Sequence, residues 1–272
     1  MKQKERFVLP GIVAVALILA ACGGDSGNNG TETEGTSSSS VNTSSSSSVA
    51  VSSSSEKVAW DYLNPNITYG EITDTRDGQT YKTVVIGTQT WMAENLNYAD
   101  STAMPNLKGN SWCYGNRADS CAKYGRLYTW TAAMAFPATY NDATWGGSDV
   151  NHQGVCPSGW HVPTDAEWTI LDDFVGGEET AGTKLKSTSG WYNDGNGMNT
   201  YGFSALPGGT YIGLVYLGGS GFGYVGYYGY WWTATEYSST SAYGGTMYFS
   251  ITDVDAVDYN KAFGQSLRCL KD

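Results

Sequence analysis

Cysteine is the residue type in this sequence with the most covalent chemistry to offer, and the chain has five. Cys22 stands alone near the N-terminus, whereas Cys113, Cys121, Cys156 and Cys269 form an even set. In an oxidising compartment such a set pairs into disulfides, and four cysteines allow three pairings. We predict Cys113–Cys121, which closes a short local loop, and Cys156–Cys269, which ties the end of the C-terminal half to its beginning.

Metal ligands are sparse by comparison. No CxxC pair is present, so a zinc site is the lesser interpretation of the cysteines. Hard oxygen ligands for calcium occur at Asp253, Asp255 and Asp258, and a second acidic turn lies at 193–196. Neither segment has the spacing of an EF-hand loop. We therefore predict no cofactor, and calcium at the three aspartates remains a weak alternative.

Catalytic residues are not predicted. A Ser/His/Asp arrangement would need His152 or His161, and His161 lies between two apolar residues before a helix cap, which favours a structural role. Four acidic residues are available for paired-carboxylate glycoside cleavage: Glu94, Glu167, Asp194 and Glu236. Sequence gives no separations between them, so an enzyme is the less favoured interpretation.

Aromatic residues are the strongest indication of recognition. The glycine-rich segment 208–230 contains Tyr211, Tyr216, Phe222, Tyr224, Tyr227, Tyr228 and Tyr230. Rings in such loops stack on sugar faces or anchor protein contacts at low entropic cost. We predict that Tyr224, Tyr227 and Tyr228 are exposed and bind a ligand, whereas Trp231 and Trp232 pack inward. A loop whose rings all pack inward is the alternative.

Residues 1–21 have the layout of a lipoprotein signal peptide, with a basic start and an apolar run. The run contains Pro10 and Gly11 and is short of the roughly 20 apolar residues that a membrane-spanning helix needs. At its end, the sequence LAAC resembles the lipobox of bacterial lipoproteins, in which the cysteine receives a lipid. We predict lipidation of Cys22; an ordinary signal peptide with an incidental cysteine is the alternative.

Residues 22–57 form a predicted disordered linker with serine runs at 37–40, 44–48 and 52–55. Such a composition buries too little apolar surface to offset its ordering entropy. As a flexible coil it would span roughly 30–35 Å, enough to hold a domain away from a lipid surface. A glycosylated stalk is the alternative. The remaining residues, 58–272, suit one domain.

The net charge of −11 argues against nucleic acid as a partner. The signal, the lipobox and the linker predict an exported protein that reaches the membrane through its lipid anchor. The predicted location is the bacterial cell envelope, at the outer membrane or the cell surface.

Secondary-structure patterns within 58–272 predict an α+β domain. β-branched residues favour strands at 80–86 and 89–95, and short apolar stretches favour later strands at 201–206, 230–235, 246–251 and 263–270. The fold class is therefore α+β, with irregular short-stranded antiparallel sheets and about two helices.

The clearest helix follows Pro163, because Thr164 and Glu167 form a capping box. Its predicted inner face is Trp168, Leu171, Phe174 and Val175. A second helix is predicted at 178–187, with Leu185 inward and Lys184 and Lys186 outward.

Six blocks of sequence resemble the Fibrobacter succinogenes major paralogous domain family over roughly 71–272. They are 84–98 (VVIGTQTWMAENLNY), 124–130 (YGRLYTW), 156–164 (CPSGWHVPT), 201–209 (YGFSALPGG), 230–236 (YWWTATE) and 266–269 (SLRC). This resemblance implies a domain found on many exported proteins, for which no general biochemical activity is established. A more remote similarity to the C-type-lectin-like fold of formylglycine-generating enzymes implies the fold alone.

Three functions remain, in order of preference. The first is a surface-displayed, non-enzymatic binding domain for a polysaccharide or another envelope protein. The second is an envelope enzyme acting on polysaccharide or protein, and the third is a structural envelope protein without a small ligand.

Overall fold

The computed structural model describes residues 62–213 and 221–272. The predicted signal peptide, the lipidation site Cys22 and the linker lie outside the described residues, as does Tyr216. The strands are β1 (Gly70–Thr73), β2 (Thr80–Ile86), β3 (Gln89–Met92), β4 (Ser111–Trp112), β5 (Leu127–Tyr128), β6 (Trp160–His161), β7 (Thr210–Tyr211), β8 (Phe222–Gly223), β9 (Tyr228–Glu236), β10 (Ser241–Tyr248), β11 (Asp255–Asn260) and β12 (Leu270–Lys271). The helices are α1 (Ala118–Tyr124), α2 (Trp130–Ala133), α3 (Asp165–Phe174) and α4 (Glu178–Leu185).

Short antiparallel sheets and small helices confirm the α+β class. The largest sheet has the order β1-β2-β3-β12-β6, a second has the order β11-β10-β9, and β4-β5 and β7-β8 form pairs. Both early strands lie where the sequence predicts them, and the hairpin between them turns at Gly87, whose φ is +63°. Glycine suits this position because it adopts the left-handed region without steric cost.

Both faces of the five-stranded sheet are buried at its strand β3. Met92 belongs to one cluster of buried side chains and its neighbour Trp91 belongs to the other. Neighbouring strand residues point to opposite faces, so the sheet separates two hydrophobic cores. Trp231 and Trp232 divide in the same way and are fully buried, as predicted.

The late part of the chain is more irregular than the strand predictions. The predicted strand at 230–235 lies inside β9, and β10 covers only the start of 246–251. Residues 201–206 contribute one isolated bridge, between Lys186 and Ala205. The segment 263–270 joins the large sheet only at its end, and its remaining pairings are isolated bridges.

Helix α3 begins with the predicted capping box. The Thr164 hydroxyl accepts from the backbone N–H of Glu167, and the Glu167 carboxylate accepts from the backbone N–H of Thr164. Trp168 and Leu171 are buried, but Phe174 is 53 % exposed, so the predicted inner face was wrong at that residue. Phe174 instead packs edge-on against Tyr201 at the surface.

Helix α4 ends two residues before the predicted limit, and Leu185 is buried as predicted. The outward placement of Lys186 was wrong, since this side chain is 3 % exposed. The chain leaves the helix in an extended conformation at Lys186, which turns the residue inward. Helices α1 and α2 were not predicted, because four to seven residues are too few to show a helical period.

Both predicted disulfides are present. Cys113–Cys121 has a Cα–Cα distance of 4.8 Å, and Cys156–Cys269 has one of 5.9 Å. The second bond closes a loop of 113 residues and joins the segments that lead into the paired strands β6 and β12. A disulfide that closes a loop of about that length stabilises the folded protein by about 4–5 kcal/mol in the chain-entropy treatment.

The buried side chains of Asn95 and Arg268 together connect five of the six sequence blocks. Asn95 Oδ1 accepts from Trp231 Nε1 at 2.8 Å and from two nitrogens of Arg268, at 2.9 and 3.2 Å. Its Nδ2 donates to the Tyr124 carbonyl, and Arg268 also donates to the Phe203 carbonyl. Burial lowers the pKa of Arg268 to about 9, which leaves the guanidinium charged at neutral pH. This network connects segments that are far apart in the chain.

Within residues 62–213 and 221–272, no helix combines the length and apolar character that a membrane crossing requires.

Candidate functional site

Six aromatic side chains form one surface at an end of the three-stranded sheet, which we call the tyrosine surface. Its members are Tyr192, Tyr224, Tyr227, Tyr228, Tyr248 and Phe249. Tyr192 is 50 % exposed, Tyr224 is 46 % exposed and Tyr227 is 38 % exposed. Tyr228 is half-buried and thus less exposed than Tyr224 and Tyr227. The three tyrosines that were predicted to bind a ligand therefore lie together but differ in exposure.

The rings hold one another in place. Tyr192 and Tyr227 are stacked with centroids 4.4 Å apart, and Tyr228 and Tyr248 are stacked at 4.2 Å. Phe249 meets Tyr192 and Tyr227 edge-on, at 5.3 and 5.6 Å. Each such pair contributes about 0.5–1.5 kcal/mol beyond the area it buries. A ligand therefore meets rings that are already ordered, which lowers the entropic cost of binding.

The exposed rings of Tyr192 and Tyr224 lie in turns that contain residues with a left-handed backbone conformation. Tyr224 has φ +67°, and its carbonyl accepts from the backbone N–H groups of both Tyr227 and Tyr228 at 3.0 Å. Asn193 and Asp194, which follow Tyr192, have φ +49° and +58°. A bulky residue such as tyrosine in this region costs about 1–2 kcal/mol. Such strained residues are common at binding sites.

A buried lysine supports the surface from below. Lys186 Nζ donates to three carbonyls of the turn after β10: Tyr248 at 3.1 Å, Phe249 at 3.4 Å and Ile251 at 2.9 Å. Burial lowers the pKa of Lys186 to about 8. The ammonium thus fixes the backbone that carries two rings of the tyrosine surface.

A family model described as the Fibrobacter succinogenes major domain matches residues 84–271. The chain belongs to this family. No curated protein and no solved structure matches it. The similarity of the major domain to the C-type-lectin-like fold therefore stays a prediction. The tyrosine surface lies entirely within the matched range.

The two histidines of the major domain are engaged in hydrogen bonds. His161 is buried, with Nδ1 2.7 Å from Asp272 Oδ1 and Nε2 3.0 Å from Glu167 Oε1. Burial alone would lower the pKa of His161, but the two carboxylate hydrogen bonds outweigh it and raise the pKa. His152 Nε2 lies 2.8 Å from the Met134 carbonyl. The geometry of His161 fits the structural role that the sequence favours.

The four candidate carboxylates of the major domain have separate surroundings. Glu167 belongs to the α3 capping box, and Glu236 accepts from the backbone of 145–146 and from Lys261. Glu94 accepts from the backbone N–H of Lys82 at 2.6 Å, and Asp194 is exposed. Two of the four thus hold structural positions.

The acidic segment proposed as a weak calcium site contains a strand rather than a ligand loop. Asp255 and Asp258 belong to β11, and their odd spacing places them on opposite faces of the strand. Among the described residues of the major domain, no group of three His, Cys, Asp or Glu side chains could hold a metal ion. The structure therefore does not bring Asp253, Asp255 and Asp258 together.

A cavity lies elsewhere in the major domain, between the β1–β2 hairpin and α1. Its volume is about 540 Å³, and its polar wall includes Asp77, Gln79, Glu94, Asn97 and Lys123. Because acidic and basic side chains both line this wall, the cavity shows no preference for an anionic or a cationic ligand.

Sequence reasoning missed half of the tyrosine surface. Tyr192, Tyr248 and Phe249 come from two other segments, and Lys186 was placed outside. The only local signal was the cluster of turn-forming residues at 193–196, which predicts a tight turn at Tyr192.

Proposed function

We propose that this protein is a surface-displayed lipoprotein whose major domain binds polysaccharide, without catalysis, through the tyrosine surface. The observation that carries the proposal is the preordered pair Tyr192 and Tyr227, which are stacked on each other and still 50 % and 38 % exposed. Aromatic rings expose flat apolar faces beside polar hydroxyls, which suits the C–H face of a pyranose ring.

The surface carries no formal charge of its own. Burial and the neighbouring tyrosines raise the pKa of both Tyr227 and Tyr228, so their hydroxyls stay protonated at neutral pH. A neutral aromatic platform on an acidic protein favours a neutral polysaccharide over a polyanion, which the net charge of −11 would repel.

Structural use of Glu167 and Glu236 supports binding over hydrolysis. Hydrogen bonds from Lys261 and two backbone N–H groups outweigh burial and lower the pKa of Glu236, so this group is a poor general acid. Glu167 is held by its capping box and by His161.

The test is retention of the purified full chain on insoluble cellulose, xylan and chitin. The Tyr192→Ala/Tyr227→Ala variant should lose retention by at least tenfold, because both faces of the stack are removed. Tyr237→Ala is the matched control: Tyr237 is 56 % exposed and meets Tyr243 edge-on at the opposite end of the sheet. Its retention should equal that of the unmodified chain.

Absence of retention on every polysaccharide would contradict the proposal and shift the role to an envelope-protein partner. Equal loss in Tyr237→Ala would show that general exposed aromatic area, not this surface, causes retention.

A further inference from the structure

The two disulfides of the major domain have different surroundings. Cys156 and Cys269 are fully buried and belong to one of the two hydrophobic cores. Cys113 is half-buried, and its partner Cys121 is 5 % exposed. Exposed disulfides exchange with external thiols more readily than buried structural ones and have higher reduction potentials. The Cys113–Cys121 bond is therefore the more open of the two to an external thiol.

A guanidinium lies beside this bond. Arg126 Nη1 donates to the sulfur of Cys113 at 3.6 Å and to that of Cys121 at 3.7 Å. The other donors of this side chain go to Ser111: Nε to Oγ at 3.2 Å, and Nη2 to the carbonyl at 3.5 Å. Over the described part of the chain, no carboxylate pairs with Arg126. A cation at this distance stabilises a thiolate and therefore favours the reduced form of the bond.

The same bond contributes less to the fold than the buried one. Its cysteines are 8 residues apart in the chain, whereas Cys156 and Cys269 are 113 apart. In the chain-entropy treatment, a shorter loop gives less stabilisation. Both ends of the short loop have other anchors, because β4 pairs with β5 and the Arg126 N–H donates to the Leu96 carbonyl at 2.9 Å. Opening the bond thus releases the segment 114–120 between fixed ends.

The released segment carries an aromatic contact. Tyr114 directly follows Cys113, and its ring packs against Phe222 of β8 with centroids 5.4 Å apart. The ring also lies close to Gly209, where a Cβ would come within 2.9 Å of it. The closed disulfide therefore holds Tyr114 against β8, and its opening loosens this contact.

We propose that Cys113–Cys121 is a reversible modification site for small thiols such as glutathione, and that Arg126 stabilises the thiolate released from it. The buried bond Cys156–Cys269 stays closed under the same conditions and keeps the domain folded.

The exchange has two steps. The thiolate of the small thiol attacks the sulfur of Cys113, the more exposed of the two residues; a mixed disulfide forms, the protein disulfide breaks, and its electron pair stays on Cys121 beside Arg126. A second small thiolate then attacks the sulfur of the bound small thiol and releases Cys113. In sum, two small thiols become one small disulfide, and their two electrons and two protons pass to the cysteines.

The first test is to equilibrate the protein with glutathione redox buffers, quench it with acid, alkylate the free thiols and map them by mass spectrometry. The full chain carries Cys22→Ser, so that the fifth cysteine takes no part in the exchange. We expect Cys113–Cys121 to open in buffers that leave Cys156–Cys269 intact. Hydrogen exchange should become faster within 113–124 and stay unchanged in the five-stranded sheet. Limiting glutathione should give a mixed disulfide on Cys113.

The second test removes the charge beside the sulfurs. Arg126→Gln keeps a hydrogen-bond donor, and it should lower the equilibrium constant for reduction by glutathione about tenfold, which is about 30 mV in reduction potential. Arg126→Lys keeps the charge and should retain most of the effect. Arg117→Gln is the matched control: it removes a charge from the same loop, but Arg117 is exposed and pairs with Asp119, with Nε 3.0 Å from Oδ1. Its equilibrium constant should equal that of the unmodified chain.

Three results would overturn the proposal. The first is that Cys156–Cys269 opens before Cys113–Cys121, or that both open together as the fold is lost; this measurement needs no arginine variant. The second is an equal equilibrium constant in Arg126→Gln and Arg117→Gln. The third is a mixed disulfide that forms on Cys121 instead of Cys113.

Discussion

The two ends of the three-stranded sheet each contain a buried lysine, and the two ammonium groups have different hydrogen-bond partners. At the end where β9 leads into β10, Lys261 is 0 % exposed and pairs with Glu236 at 2.5 Å. At the other end, under the tyrosine surface, Lys186 is 3 % exposed, and its hydrogen-bond partners among the described residues are all backbone carbonyls. The charge of Lys261 is balanced by a carboxylate, whereas that of Lys186 is stabilised by the dipoles of peptide carbonyls.

Lys261 is the more fully satisfied of the two. Besides Glu236, its Nζ donates to the carbonyls of Tyr140, Ala143 and Ser239 at 3.0–3.1 Å. It also lies 4.8 Å from the ring of Trp130. This arrangement joins the loop at 138–143 to the β9–β10 hairpin, so the end is a structural anchor.

Within residues 62–213 and 221–272, Lys186 has no carboxylate partner. The cost of burying its charge is offset there by carbonyls and by Trp191, whose ring lies 5.2 Å away. Burial accordingly lowers the pKa of Lys186. The comparison indicates that the backbone at the Lys261 end is held by an ion pair as well as by carbonyls, whereas the end beside the tyrosine surface is held by carbonyls.

Lys261→Met should give the largest effect. It leaves the Glu236 carboxylate buried without its cation, which typically costs about 3–5 kcal/mol. For a domain of this size, about 3 kcal/mol lowers the melting temperature by roughly 10 °C, measured by calorimetry. Adding Glu236→Gln should restore part of the loss, because the unpaired charge is then gone; a double variant no more stable than the single one would contradict the ion-pair description.

Lys186→Met should cost less, about 1–3 kcal/mol, because it leaves carbonyls rather than a charge without partners. It should also weaken glycan retention several-fold, since the turn that carries Tyr248 and Phe249 loses its fixed point. Thermal denaturation and retention assays on the same preparation measure both effects. If Lys261→Met weakened retention as much at equal stability, the two ends would not differ in function.

The pH dependence of stability should test the burial of the Lys186 ammonium directly. The folded pKa of Lys186 is about 8 and its ordinary value is 10.5, so between these values the unfolded chain binds more protons. Stability at this site therefore rises with pH across that window, by up to about 1.4 kcal/mol per unit. The stability difference between the unmodified chain and Lys186→Met should grow from pH 8 to pH 10, as followed by urea denaturation; a constant difference would contradict the lowered pKa.

The smallest effect concerns backbone strain at Tyr224 in the tyrosine surface. Tyr224→Gly should be more stable than Tyr224→Ala by about 1 kcal/mol, because glycine adopts φ +67° without a Cβ clash. Both variants lose the ring and should lose affinity alike. Melting temperatures that do not differ would show that the turn relaxes when the ring is removed.

Much of the fold was predictable from local sequence. The capping box of α3 and the hairpin at Gly87 each depend on residues close together in the chain, and the apolar character of Trp231 and Trp232 was enough to predict their burial. Both disulfide pairings followed from cysteine number and spacing. Strand β11 was missed because its acidic residues favour a turn, and only pairing with β10 makes it a strand.

The candidate site was predictable only in part. Tyr224, Tyr227 and Tyr228 belong to one aromatic segment, so their joint exposure could be proposed from composition. Tyr192 and Phe249 join them through stacking across more than 20 residues of chain, which no local pattern encodes.

The sequence by itself determined the family, the α+β class, the disulfides and the aromatic segment, because each depends on residue type and short-range spacing. Only the tertiary structure decided that Lys186 turns inward, that Asn95 and Arg268 connect five distant blocks and that Gln265 Oε1 lacks a hydrogen-bond partner among the described residues. The physical reason is that burial and hydrogen-bond satisfaction belong to the packed chain as a whole. A lysine or a glutamine has the same local signature whether its polar end meets water, a carbonyl or nothing.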